Sequence, residues 1–234
     1  MKKFSVFLLM IATSIVLLIA GCWIPENFEA KVTINKDGSY MFTYDGTLTY
    51  ALALASAKEG SLTQKDEAEF KKGENELRKE PGFKKVKYLG KGRYKVLVKK
   101  SGNTGERFDF ISREMNFFSI IPQNNGLIKI TAIRFSKKDI NELKSIGAKI
   151  NGTLTVSVEK GVKVIKHNAQ SEPKLFGLLG GYKWELKSVD AQPFIIVQPS
   201  PYNVNILLRH CALLLLTVIS VNIFGSIERN LILN

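Results

Sequence analysis

The 234-residue sequence holds only two cysteines and two histidines. Two cysteines, Cys22 and Cys211, exclude a disulfide-dense scaffold. His167 and His210 make no His-x-x-x-His zinc pair, and no cysteine cluster takes its place. A Gly-x-Ser-x-Gly elbow is absent, which argues against an α/β-hydrolase. So is the Gly-x-x-x-x-Gly-Lys-Ser/Thr loop that cradles phosphates. The Ser-x-x-Lys match from Ser157 to Lys160 lies on a strand-like alternating segment rather than at a helix start. With 27 lysines in the chain such a match is expected by chance. Paired carboxylates are the remaining catalytic option, with Asp109 and Glu114 meeting across a sheet. His167, beside Asn168 at a strand end, reads as a structural donor or acceptor. The expectation is a non-catalytic protein with no cofactor and no metal. Hydrophobic residues make up 45% of the chain, too many for a disordered tail protein, and the polar bulk excludes a polytopic membrane protein.

What is present is unevenly placed. Lys2 and Lys3 precede an uncharged run from Phe4 to Ile19. At about 1.5 Å per residue that run is roughly 24 Å as a helix, short of the roughly 30 Å hydrocarbon core. A charged start, a short apolar run and small residues make a secretory signal peptide. Ile19-Ala20-Gly21-Cys22 then resembles the lipobox of bacterial lipoproteins. That resemblance implies cleavage between Gly21 and Cys22 and a diacylglyceryl anchor on the Cys22 thiol. The mature chain would begin at Cys22 on the extracytoplasmic side, anchored to the cell membrane or the outer membrane. In Gram-negative lipoproteins an Asp after the Cys is the usual inner-membrane signal, so Trp23 leans towards the outer membrane.

Residues 22–200 read as one extracytoplasmic α+β domain with a mainly antiparallel sheet and two helices. Phe28 to Asn35 alternates as a half-buried strand. Lys36-Asp37-Gly38-Ser39 turns the chain into a second strand, Tyr40 to Tyr50. Ser61 to Glu80 is a surface helix capped by Ser61 or Thr63, with (i, i+4) pairs Glu67–Lys71 and Glu74–Arg78. Phe83 to Lys100 is a hairpin around Gly90-Lys91-Gly92. Glu114 to Ile121 and Leu127 to Phe135 pair around Gln123 to Gly126. Ser136 caps a second helix that Gly147 ends. Lys149 to Glu159, Val162 to Ile165, Tyr182 to Leu186 and Phe194 to Val197 complete the sheet.

The second hairpin places Val86, Tyr88, Tyr94, Val96 and Val98 on one face and Lys85, Lys87, Arg93, Lys95 and Lys99 on the other. With Lys84, Lys91 and Lys100 it carries eight bases and no acid. This is either a solvated outer face or a contact for anionic lipid headgroups or surface polymer, with Lys84, Lys85, Lys87, Arg93, Lys95 and Lys99 as the candidates. Export argues against nucleic acid despite the net charge of +13.

Lys166-His167-Asn168, a variable loop and Tyr182-Lys183-Trp184-Glu185-Leu186 resemble the C-terminal part of LppM-type bacterial lipoproteins. There an Asn ends one strand and a Trp-x-Leu motif sits on the next. The early Asp37-Gly38-Ser39 turn is also similar. The resemblance implies envelope lipid or glycolipid binding and carries over no catalytic motif. The loop between, with Leu175, Phe176, Leu178 and Leu179, is a candidate apolar contact, as a pocket lid or a lipid contact.

No lysine follows Lys187. Residues 201–234 form an apolar tail with three readings: a weak membrane helix over 206–225, an element packed on the domain, or an altered C-terminus with no evolved role. The functional expectation is a lipid-anchored binding or structural module for a lipid or amphiphilic ligand. The alternative is an accessory subunit of an envelope protein assembly, and a hydrolase comes third.

Overall fold

Strand-forming residues with period-two alternation build eleven strands, and the computed structural model pairs them into two sheets among the described residues. It describes residues 23–111, 117–134, 136–174, 180–186 and 191–199. The expected signal peptide, Cys22, Glu114, the 175–179 loop and residues 201–234 lie outside the described residues.

The first sheet contains β1 (Trp23–Ile34), β2 (Ser39–Tyr50), β3 (Phe83–Gly90), β4 (Arg93–Asn103), β8 (Gly152–Val158) and β10 (Tyr182–Glu185), in the order β10-β8-β1-β2-β4-β3. The second contains β5 (Phe108–Phe110), β6 (Phe118–Pro122), β7 (Ile128–Ala132), β9 (Lys163–His167) and β11 (Phe194–Gln198), in the order β5-β6-β7-β11-β9. The inward residues of both share one core. Phe42 stacks on Phe118 at 4.9 Å and Tyr44 meets Phe110 at 4.8 Å.

The α+β class and the hairpins follow the sequence pattern, and three features depart from it. There are two sheets where one was expected. β8 lies in the first sheet, β9 in the second, β10 back in the first and β11 in the second. Alternation tells which face of a strand is buried, not which strand lies beside it. The first sheet is also mixed, since β1 and β8 run parallel from Phe28↔Gly152 to Ile34↔Val158. Finally, the described residues hold three α-helices rather than two: α1 (Ala51–Glu59), α2 (Gln64–Lys79) and α3 (Lys137–Ser145). The Ala-Leu-Ala-Leu-Ala start of α1 is apolar all round, so it carries no stripe from which a helix is read.

The helix starts obey local chemistry. Thr63, not Ser61, caps α2, and Ser136 caps α3. In both, the cap side chain accepts from the N3 backbone N–H while the N3 aspartate, Asp66 or Asp139, accepts from the cap N–H. These hydrogen bonds hold both aspartates below the ordinary 3.8.

One crowded point organises the first sheet. β1 has an irregularity between Glu26 and Glu29, with Asn27 at φ 44°. Phe28 then lies across its two neighbouring strands. A Cβ on Gly46 would come within 2.3 Å of the Phe28 Cβ, and one on Gly152 within 2.2 Å of its ring. Only glycine fits at these positions.

Candidate functional site

The strand starts and ends around Trp23 build a compact polar and apolar junction. Ile24, Leu54, Ala148 and Ile150 form a small second core, with Ala51, Leu143 and Ile146 against it. It brings α1, α3 and the α3–β8 connection to the end of the sheet where β1 begins. Between β1 and α3 opens a cleft of about 450 Å³. Its walls are Trp23, Ile24, Pro25, Phe117, Ile133, Leu143 and Ile146, and Arg134, Asp139 and Glu142 are its charged members. A second cleft of about 410 Å³ lies on the other side of Trp23, beneath the end of α2, and is more polar, with Glu80, Lys100 and Asp109 among its lining. The first has the dimensions and apolar walls of a site for a small amphiphile.

Glu26 holds this end together. It is 1% exposed. Its carboxylate accepts from Arg93 Nε at 2.8 Å, from the Thr49 hydroxyl and from the backbone N–H of Lys149. Arg93 also donates to the Gly147 carbonyl at 3.0 Å. Together they tie β1, β2 and β4 to the connection that follows α3, beside the cleft. Sequence reasoning missed Glu26. Its only signal was an acidic residue in an apolar stretch, Trp23-Ile24-Pro25-Glu26, directly before a strand.

The hairpin candidates divide. Lys85, Lys87, Lys95 and Lys99 are exposed, as the alternation implies, and Lys84 is exposed at a register irregularity between Phe83 and Lys85. Arg93 is turned to the protein by Glu26, its side chain 22% exposed. Lys95 stands opposite Lys87 and pairs with Asp45 of β2 at 2.5 Å. The outer face is thus basic on β3 and β4 and mixed on β1 and β2, where Glu29 pairs with Lys31.

β3 is an edge strand, and α2 covers it. Glu74 accepts from Tyr88 N–H at 2.8 Å, and Arg78, paired with Glu74 at 2.5 Å, donates to the Val86 carbonyl at 2.9 Å. The Tyr88 bond holds the Glu74 carboxyl below its ordinary 4.5. Glu67 does not answer Lys71 but accepts from the Tyr88 hydroxyl at 2.5 Å and from Lys91 N–H at 2.9 Å. The Tyr94 hydroxyl donates to Phe70 of α2, and burial pushes its phenol up to about 12. The β10 edge is covered likewise: Lys183 exchanges backbone bonds with Ser171, and Glu185 N–H donates to Gln170. Both edges of the first sheet are closed to an added strand over these residues.

Among the described residues the sequence's catalytic candidates lie apart: Asp109 on β5 and His167 on β9 are on opposite edge strands of the second sheet, and Ser157 is in the first sheet; Glu114 lies outside the described residues. His167 Nδ1 accepts from Ala169 N–H at 3.2 Å, its Nε2 lies 3.6 Å from Glu172, and its ring packs on Tyr182. It borders neither cleft. Asp109 binds Arg107 and Ser119. Ser157 sits on β8. Among the described residues no group of three or more His, Cys, Asp or Glu side chains is placed to hold a metal ion, and no helix is long and apolar enough to cross a membrane.

Asn168 and Trp184 meet. Trp184 is 1% exposed, and its indole N–H donates to Asn168 Oδ1 at 3.0 Å and to the Asn168 carbonyl at 3.1 Å. Asn168 Oδ1 also accepts from Phe194 N–H at 2.9 Å, and its Nδ2 donates to the Gln192 carbonyl at 2.9 Å. Trp184 belongs to the first sheet and Phe194 to the second, so one amide links the two sheets.

No family model matches the sequence, and no curated protein matches it. Among solved structures the chain is similar to the folded domain of the LppM protein of Mycobacterium tuberculosis, determined by NMR. The identity is 13% and the TM-score 0.40, over 75% of this chain and 91% of that one, a weak likeness.

Proposed function

We propose that the protein is an extracytoplasmic lipoprotein of the bacterial envelope, anchored through Cys22, whose domain is a non-catalytic binding module for a lipid or amphiphilic ligand. The observation that carries this reading is the apolar cleft of about 450 Å³ beside Trp23, the residue that follows the lipobox cysteine. An acyl chain finds Ile24, Phe117, Ile133, Leu143 and Ile146 along the walls, and a polar head finds Arg134 at the same site. A ligand drawn from the bilayer would have a short path to the cleft, because Cys22 directly precedes Trp23 of the cleft wall in the sequence. The exposed lysines Lys84, Lys85, Lys87, Lys95 and Lys99 are candidate contacts for anionic headgroups.

The test is native mass spectrometry of the full chain purified in mild detergent, with lipid extraction of the same sample. Leu143→Asp places a carboxylate in the apolar wall, and Leu143→Met keeps the wall apolar. The reading expects a bound amphiphile on the parent and on Leu143→Met, and its loss from Leu143→Asp. A parent chain free of amphiphile, or equal retention by all three, would overturn it.

A further inference from the structure

Four large apolar side chains stand exposed among the described residues: Met41, Leu52, Leu89 and Ile165. Single exposed apolar residues need no explanation, but two of these lie on segments that meet at one end of the first sheet. Leu52, 46% exposed, lies in the first turn of α1, and Leu89, 51% exposed, precedes the Gly90-Lys91-Gly92 turn. The two segments touch. Tyr50 N–H donates to the Gly92 carbonyl at 2.9 Å, and a Cβ on Gly92 would come within 2.4 Å of Ala53. Tyr50 is in register with Trp23, and their rings meet edge to face at 5.8 Å. Leu52 and Leu89 therefore lie on segments at the end of the sheet where the described chain begins.

That place is one residue from Cys22. Consecutive Cα atoms are about 3.8 Å apart, so an anchored Cys22 holds Trp23 and this end of the domain at the bilayer surface. The side chains there match what an interface takes: two leucines, a Trp and a Tyr, and the exposed Lys58 and Lys91, with Glu59 and Glu67 the acids beside them. Lys58 also reaches the Ser145 carbonyl at the end of α3, so the patch continues to the cleft wall.

We propose that this end of the domain docks on the lipid bilayer. Leu52 and Leu89 enter the boundary between headgroups and acyl chains, Trp23 and Tyr50 lie at headgroup level, and Lys58 and Lys91 contact anionic headgroups. The docking rests on the anchor at Cys22, and it sets the orientation: the cleft beside Trp23 opens near the membrane, and the 36–38 turn at the other end of β1 points away from it.

The experiment uses the full chain, acylated in a bacterial host and reconstituted in vesicles of phosphatidylethanolamine and phosphatidylglycerol. In a Cys211→Ser background, Leu52→Cys, Leu89→Cys, Met41→Cys and Ile165→Cys each receive a nitroxide. All four side chains are exposed, so the labels leave the core intact. Accessibility to oxygen against a water-soluble nickel chelate is read by electron paramagnetic resonance. Docking expects Leu52→Cys and Leu89→Cys to shift towards oxygen on reconstitution, and Met41→Cys and Ile165→Cys to keep their aqueous values. With one label per chain, equal aqueous values at all four sites would overturn the docking while leaving the anchor intact. A second label, on an unmodified Cys22 thiol, would overturn the anchor and the docking with it.

Discussion

Removing the Glu26 carboxylate is the sharpest perturbation of the domain. Glu26→Leu leaves three donors without their acceptor: the Thr49 hydroxyl, the Lys149 N–H and the Arg93 guanidinium. Thr49 is fully buried. A buried donor left unsatisfied costs about 1–3 kcal/mol, and breaking a buried ion pair about 3–5 kcal/mol. Arg93 is 22% exposed and keeps the Gly147 carbonyl, so water and that oxygen offset part of its loss. The net expectation for Glu26→Leu is about 3–4 kcal/mol. For a domain of this size each kcal/mol lowers the Tm by about 2–4 °C, so the Tm should fall by about 6–16 °C. Arg93→Leu alone strands the carboxylate with two neutral donors and should cost a similar amount. The double variant Glu26→Leu/Arg93→Leu removes both charges. It should be less destabilised than the sum of the singles by about 2–3 kcal/mol. Urea unfolding followed by tryptophan fluorescence measures all four corners of the cycle. Additivity within about 0.5 kcal/mol would refute the claim that these two charges form one unit.

Three further outcomes are expected. Asn168→Ala strips Phe194 N–H of its acceptor and leaves the Trp184 indole only the backbone carbonyl. It should cost about 1–3 kcal/mol, read as a lower urea midpoint, and an unchanged midpoint would deny the link between the sheets. Acid should loosen α2 from the β3 edge. Asp66 and Glu74 have folded pKa values held below their ordinary 3.8 and 4.5, so their support is complete above those values and is lost as pH falls through the lower, folded ones. The protection factor of the Tyr88 amide, which corrects for the intrinsic pH dependence of exchange, should therefore fall on acidification below the ordinary carboxylate range, ahead of that of Val96 in the sheet interior, and a simultaneous fall would count against edge covering by Glu74. Reversing Lys85, Lys87 and Lys95 to glutamate should weaken partitioning to anionic vesicles. Three lysines at about 1 kcal/mol each correspond to on the order of a hundredfold, and unchanged partitioning would assign that face to solvent.

Local chemistry was legible in the residues themselves. The turn at Asp37 forms as its sequence implies, with the carboxylate accepting from Ser39 N–H at 2.8 Å. Thr63 and Ser136 cap helices because a hydroxyl followed three residues later by an aspartate closes both orphan bonds within one turn. The Phe83 to Lys100 hairpin keeps the alternation read from it because its partners are close in sequence. Arg93 shows the limit. Its position on the outer face follows from alternation, yet its charge answers a carboxylate 67 residues away.

Tertiary structure alone decided which strands meet. The parallel pairing of β1 with β8 joins residues more than 100 positions apart, and nothing in either strand names the other. The same pairing turns Gly152 from a strand breaker into the floor under Phe28. Glu26 became a buried hub, and Asn168 and Trp184 became a bond between sheets, only because distant segments converged. Hydrogen bonds within a turn and alternation along a strand depend on neighbours a few residues off, so the sequence by itself determines them. Partners, buried charges and the cleft beside Trp23 depend on which surfaces exclude water together, and that is a property of the folded chain.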